Sequence, residues 1–472
     1  MDRLDYTLGF EDFIEPENIT ITVSGQIPHW LQGNYLRNGS GKFHLGKQTV
    51  NHWFDGLSLI NKFQFTAGKV TYQSALLNSL EARYSNQHDK LLCDQFGTHP
   101  EQSFFQKLTG LFSEAKFSDN TAVNIFPLGE QALCLTETPK INLLDIATLE
   151  QVTSVNYKDK LSYQISTAHP QYDFVTRKLV NLGVEIGAKS FYHLFEMDLN
   201  SYQRDLICSI PVKNLTYHHS FACTPRYIIL FECPYQLNPL PFFFAMKGFG
   251  PAYIENYHWH AEKATKFIVI DRQKKCVVNE IMTTAFFMFH TANCYQQADE
   301  LIIDAIIYDT PEVIQQLYLD TIQQGSSLSA AKLTRFKLQL TTNNCTQETF
   351  EQFGCEFPRY NYRYQAQTYQ YLYSTGWQEQ DAFINSLIKW DLRNGHKQPW
   401  QQASCYPGEP LFIANPDAKV EDEGVVLSIV LDAKRKMSFL LILDAQSWQE
   451  LARVELDHVI PYGLHGNFSF KK

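Results

Sequence analysis

The stretch FLLILDAQSWQELARVEL, residues 439–456, strings together an alternating apolar run, an aspartate, a short polar turn and a second β-forming run. It reads as a hairpin, because an Asp side chain can accept backbone N–H groups of the turn that follows it. The pattern recurs in INLLDIATLEQVTSVNY around Asp145, HLFEMDLNSYQRDLICSI around Asp198, KFIVIDRQKKCVVNEI around Asp271 and LIKWDLRNGHKQPW around Asp391. A degenerate copy, LTRFKLQLTTNNCTQETF, carries Lys337 in the Asp place. Self-similarity at roughly 50 to 70 residues, with several strands per period, predicts a β-propeller of four-stranded blades. A chain of 472 residues then holds about seven blades at a period of about 65. Two β-sandwich domains are the competing architecture, but they require no regular period. The expected fold is all-β, a seven-bladed propeller over residues 1–472 as one domain, its ring closed by the two chain ends sharing a blade.

Composition narrows the function. With 44% hydrophobic and 19% charged residues the chain is globular. A net charge of −10 and the lack of a basic run argue against nucleic acid, whose binding rests on Lys and Arg neutralising phosphates. MDRLDYTLGFEDF has acids where a secretory signal needs an apolar core, and no stretch approaches the ~18 apolar residues of a spanning helix. The expected setting is therefore cytoplasmic. The ten cysteines are scattered without a CxxC pair, several in apolar strand-like text, and read as reduced thiols. The 34 Phe and 25 Tyr suit either strands or a pocket for a large apolar ligand.

In a propeller the innermost strands converge on the axis. Four histidines stand at or near the start of strand-like text, upstream of blade hairpins or in the closing strand: His169 in STAHPQYD, His219 in YHHSFACTP, His290 in FFMFHTANCY and His465 in IPYGLHGNF. Neutral imidazoles suit iron, copper, nickel or zinc, although a buried histidine is more often a hydrogen-bonded core residue.

The words around these histidines form a resemblance. GNYLRNGSGKFHLG, HWFDGLSLINKFQF, FGTHPE, CLTETP, TAHPQYD, HSFACTP, FHTANCY, CEFPRYNY, PDAKVEDEGVVLSIVLDA and IPYGLHGNF, in that order along the chain, resemble the carotenoid cleavage oxygenases. The likeness is to their animal-type branch of β-carotene oxygenases and the retinal pigment epithelium isomerohydrolase. It implies a seven-bladed propeller with a helical and loop cap, an apolar tunnel and one axial Fe(II). The implied ligands are His169, His219, His290 and His465, with Glu137, Glu356 and Glu421 accepting hydrogen bonds from three of them. Phe54, in the WFDG motif, is a candidate tunnel wall, with a core place beside the tunnel as the alternative. Ser40 replaces the usual proline of RNGSG, and the acyl-anchor cysteine of the branch is missing from FGTHPEQSFF.

The implied activity is O₂-dependent cleavage of a conjugated double bond of a carotenoid to aldehydes, with central cleavage of β-carotene to retinal favoured. Retinyl ester isomerohydrolysis and stilbene-type cleavage use the same iron site. A propeller serving only as an interaction scaffold would need none of these residues, and the WD dipeptide of such scaffolds occurs only at Trp390-Asp391. A water-insoluble substrate also calls for a membrane surface, bound reversibly. Two segments suit that role. EQSFFQKLTGLFSEAKF places Phe104, Phe105, Leu108, Leu111 and Phe112 on one helix face, and NPLPFFFAMKGFGPAYI places Phe242, Phe243, Phe244 and Phe249 in a Pro/Gly-broken loop. Lys107, Lys116 and Lys247 flank them.

Overall fold

The computed structural model describes residues 5–17, 19–102, 117–245, 249–325, 327–350, 354–377 and 383–471. Of eight antiparallel sheets among the described residues, seven follow one another around an axis, and the eighth joins Leu215–Thr216, Tyr235–Leu237 and Tyr257–Trp259 beside blade 4. Blade 1 pairs Gly33–Lys42, Leu57–Thr66 and Lys69–Leu76 with Gly463–Phe470. Blades 2 to 6 are continuous in sequence, at 124–154, 165–212, 222–283, 287–349 and 354–401. Blade 7 spans 405–456 and receives Ile21–Gly25 as its outermost strand. The ring is thus closed twice. Gly463–Phe470 forms the inner strand of blade 1, while Ile21–Gly25 pairs with Glu450–Leu456.

The hairpins repeat for a local reason. Asp145, Asp198, Asp271, Asp391 and Asp444 each end a strand. Each carboxylate accepts a backbone N–H two or three residues on, as from Asn200 and Ser201 to Asp198 at 3.0 and 2.8 Å. Four residues on, the chain turns through the left-handed region at Leu149, Tyr202, Lys275, Gly395 and Trp448. There the N–H returns to the Asp carbonyl at 2.8–2.9 Å. Blade 5 corrects the sequence reading. Its left-handed residue is Asn343, so the position equivalent to Asp is Gln339, and Lys337 lies inside the strand opposite Ile302 and Thr346.

The cap comes from one end of the propeller. Its segments are the connection between blades 1 and 2, and the insertions between second and third strands of blades 4, 5 and 6. They carry short helices at Leu80–His88, Pro239–Ala245, Glu312–Gln316 and Leu319–Gln324. Among the described residues no helix is long and apolar enough to cross a membrane. All ten cysteines are free thiols.

Candidate metal centre

Each blade brings one side chain to the axis at the cap end. His465 comes from blade 1, Glu137 from blade 2, His169 from blade 3 and His219 from the entry to blade 4. His290 comes from blade 5, Glu356 from blade 6 and Glu409 from blade 7. The four imidazoles converge so that one ring nitrogen of each lies within 4.8 Å of the others. Nε2 of His169 is 3.1 Å from Nε2 of His219, and the same distance separates Nε2 of His290 and His465.

The outer nitrogens are held. His219 Nδ1 meets Glu137 at 2.6 Å, His290 Nδ1 meets Glu356 at 2.5 Å, and His465 Nδ1 meets Glu409 at 2.8 Å. A carboxylate on Nδ1 keeps the proton there and turns the Nε2 lone pair toward the axis. His169 has no carboxylate partner of this kind among the described residues. Burial lowers the pKa of His169, His219 and His465, the last to about 3, so these rings are neutral at physiological pH. Lone pairs facing each other at 3.1 Å repel unless a cation lies between them. Ligands set at right angles around an ion with bonds of about 2.1 Å stand about 3.0 Å apart, which matches the two close pairs. The residues therefore fit a divalent metal.

Each carboxylate has its own support. Tyr217 Oη donates to Glu137 at 2.7 Å and Tyr308 Oη to Glu356 at 3.0 Å. Glu409 accepts from the Arg37 and Arg359 guanidinium groups and from Gly466 N. Burial pushes its pKa up, but Arg359, His465 and Arg37 overcome that and hold it well below the usual carboxylate range. The glycines around His465 follow from this packing. A Cβ on Gly463 would meet Arg37 Nε at 2.7 Å, and one on Gly466 would meet the Leu36 carbonyl at 2.6 Å.

Glu421 is the residue the sequence misplaced. Its carboxylate accepts from the backbone N–H groups of Gln370 and Tyr371 at 2.7–2.9 Å and reaches no histidine. The loop carrying it joins the first and second strands of blade 7, at the end of the blade away from the cap. Glu409 occupies the axial position instead. The signal for it was a lone acid in the otherwise uncharged text SCYPGEPLFIA, where a carboxylate must be buried with partners. His218, the neighbour of His219, turns away and meets Thr216 Oγ1.

A cavity opens over the cluster on the cap side, bounded by His219, His290 and His465. Phe54 stands in its wall against Phe96 and Phe289, with ring centroids 5.3 and 6.1 Å away. Phe96, Phe289, Tyr253 and Tyr308 also line it, and sequence reasoning did not single them out.

The apolar segments divide. Phe104, Phe105, Leu108, Leu111 and Phe112 lie outside the described residues, as do Lys107, Lys116 and Lys247. Residues 239–245 form a short helix and not a broken loop. Pro239 and Pro241 sit in its first turn, where no intrahelical N–H is needed. The helical period turns Phe242 inward, 4% exposed and lining the cavity, while Phe243 and Phe244 face out at 52% and 46%. Phe249 is half-buried.

A seven-bladed propeller that gathers imidazoles on its axis beneath a capped aromatic cavity defines a narrow class of proteins. Within it, the chain belongs to the family described as retinal pigment epithelial membrane protein, which matches residues 10–469. A beta,beta-carotene 15,15′-dioxygenase of Homo sapiens is 32% identical over 526 residues, spanning 98% of this chain and 94% of its own. A carotenoid isomerooxygenase of Galleria mellonella is 29% identical over 97% of this chain and 94% of its own. Among solved structures, the apocarotenoid oxygenase of Synechocystis superposes with a TM-score of 0.86 at 24% identity, covering 99% of this chain and 98% of the other.

Proposed function

We propose that the protein is a carotenoid-cleaving oxygenase whose four-histidine centre holds one iron(II). With O₂ it splits a conjugated double bond into two aldehydes, and central cleavage of β-carotene is the favoured reaction. Family membership and the dioxygenase relatives support the reaction class. The observation that carries the site is the convergence of four imidazole nitrogens, three of them oriented by carboxylates, at the floor of an aromatic cavity. Four imidazole ligands carry no anionic group to compensate the charge of a divalent ion and leave room for O₂, and the bound iron would supply O₂ activation. The balance needs no reductant: the C=C and O–O bonds break, and each alkene carbon takes one oxygen atom.

The chain's own residues supply the rest. Glu137, Glu356 and Glu409 retain the Nδ1 protons, so the Nε2 lone pairs stay directed at the axis. Phe54, Phe96 and Phe289 exclude water and offer ring faces to positive charge developing on a polyene. The test is a short incubation of iron-loaded protein with β-carotene under ¹⁸O₂. Each aldehyde should carry one labelled oxygen; unlabelled products or no cleavage would overturn the reading.

Access follows from the helix at 239–245. Its inner face lines the cavity through Phe242 while Phe243 and Phe244 point outward, so the same helix can rest on a bilayer interface and border the substrate's path. Replacing Phe243 and Phe244 by Ser should reduce co-flotation with liposomes severalfold without loss of fold. Equal flotation of the variant and the wild type would defeat this assignment.

A further inference from the structure

We infer that the 3₁₀ turn Asp5–Phe10 sets how far a chain-like substrate penetrates past the four-histidine centre, acting through Phe383 as the stop of the cavity. The inference rests on reading the cavity as a polyene tunnel, and it names what fixes the cleaved bond. Besides the histidines the cavity wall includes Trp53, Leu317, Leu328, Trp377, Phe383 and Ile384, and the structure buries all of them. Phe383 does not sit on a blade strand. It lies in the connection between Tyr371–Trp377 and Ser386–Asp391, where no sheet register fixes its ring.

Aromatic rings hold it instead: Trp53 in the wall at 6.2 Å, and Tyr462 at 4.9 Å, Tyr6 and Phe10 behind the wall. Tyr6 stacks on Phe383 with centroids 5.4 Å apart and planes within 10°, and Phe10 meets it edge-on at 5.3 Å. Neither Tyr6 nor Phe10 lines the cavity. The turn is itself pinned. Tyr6 Oη donates to the Ile322 carbonyl at 2.9 Å, and Tyr462 N donates to the Gly9 carbonyl at 2.8 Å. A Cβ on Gly9 would fall 2.2 Å from the Tyr462 ring, so this close seat needs a glycine. The turn therefore works as a wedge behind the stop.

Interiors are close-packed, and a removed ring leaves a void that its neighbours fill only in part. Without Tyr6 or Phe10, Phe383 gains space to swing back and the cavity deepens. A polyene resting against Phe383 then slides further in, and a different double bond stands over the centre. Tyr6 and Phe10 are positioning residues in this scheme, acting through Phe383.

The test uses iron-loaded protein and two readouts. Calorimetric titration with n-alkyl glucosides of increasing chain length should show affinity rising about fourfold per methylene until the chain meets the stop. In Tyr6→Ala and Phe10→Ala that plateau should move to longer chains, while Tyr6→Phe, which keeps the stacked ring, should leave it in place. Products of β-carotene should shift from one cleaved bond to another or to a mixture in the same two variants. Tyr6→Leu carries the test if the alanine variant does not fold. An unchanged plateau in folded variants overturns the inference while leaving the proposed function intact. A plateau that moves in a protein that cleaves no carotenoid upholds the stop and defeats the proposed function.

Discussion

Glu409 joins two tasks in one side chain, because it orients His465 and neutralises Arg37 and Arg359 in the interior. Removing its charge should therefore be felt twice. Glu409→Gln should weaken metal retention by about 10–100-fold, measured as metal per chain after dialysis against a chelator. It should also lower stability by ~3–5 kcal/mol, because two buried guanidinium groups lose their anion. Glu421→Gln, at the far end of the blade, should leave metal retention unchanged. The contrast shows where local reading ends. Both glutamates stand in blade 7, and only the path of the strands decides which one faces the axis. Text such as VEDEG and PGEPL carries no mark of that path, whereas the four histidines could be picked out by their place at strand starts.

At the scale of the element, the Asp-marked hairpin was legible because its chemistry is local. A carboxylate, the N–H groups two and three residues on, and one left-handed residue complete it without help from the rest of the fold. Asp198→Ala removes the acceptor for Asn200 N and for Ser201 N and Oγ, and should cost about 1–2 kcal/mol in thermal unfolding. Asp198→Asn keeps a side-chain oxygen there and should cost clearly less. Where the marker is missing the reading slipped by two residues, from Gln339 to Lys337, because only the backbone at Asn343 sets the turn. The helix at 239–245 was misread for a related reason. Prolines that usually break structure are harmless in a first turn, and one turn of helix is enough to send Phe242 inward and its neighbours out.

Over the whole molecule, burial of titratable groups gives a pH response with a definite sign. Burial lowers the pKa of His52, His218 and His465 to about 3. Between pH ~6.5 and ~3 the unfolded chain takes up protons that these folded rings refuse, so acidification through that window removes stability. Asp55 and Glu81 oppose this: burial raises them to about 7, and they favour the folded state as pH falls from ~7 toward ~4. Glu409, held low by Arg359, His465 and Arg37, adds to the loss when it is protonated, and the metal-free protein should lose stability on acidification. His218 lies outside the axial cluster, so His218→Asn should flatten that loss between pH 6.5 and 4 in thermal melts and leave metal content unchanged. An unaltered pH slope would show that His218 does not contribute to it.

The double closure of the ring has a consequence for the order of events during synthesis. Three of the four histidines and two of the three supporting glutamates are translated before residue 400, yet His465 belongs to a strand that must travel back to pair with residues 33–39. A ribosome can release six blades' worth of text while the first blade still lacks its inner strand and the centre its fourth imidazole. Metal capture in its final form must therefore follow translation of the last strand. A nascent chain stalled upstream of it would carry a gap in the ring and an incomplete shell together, so an assay for tightly held metal would also report that the propeller has closed.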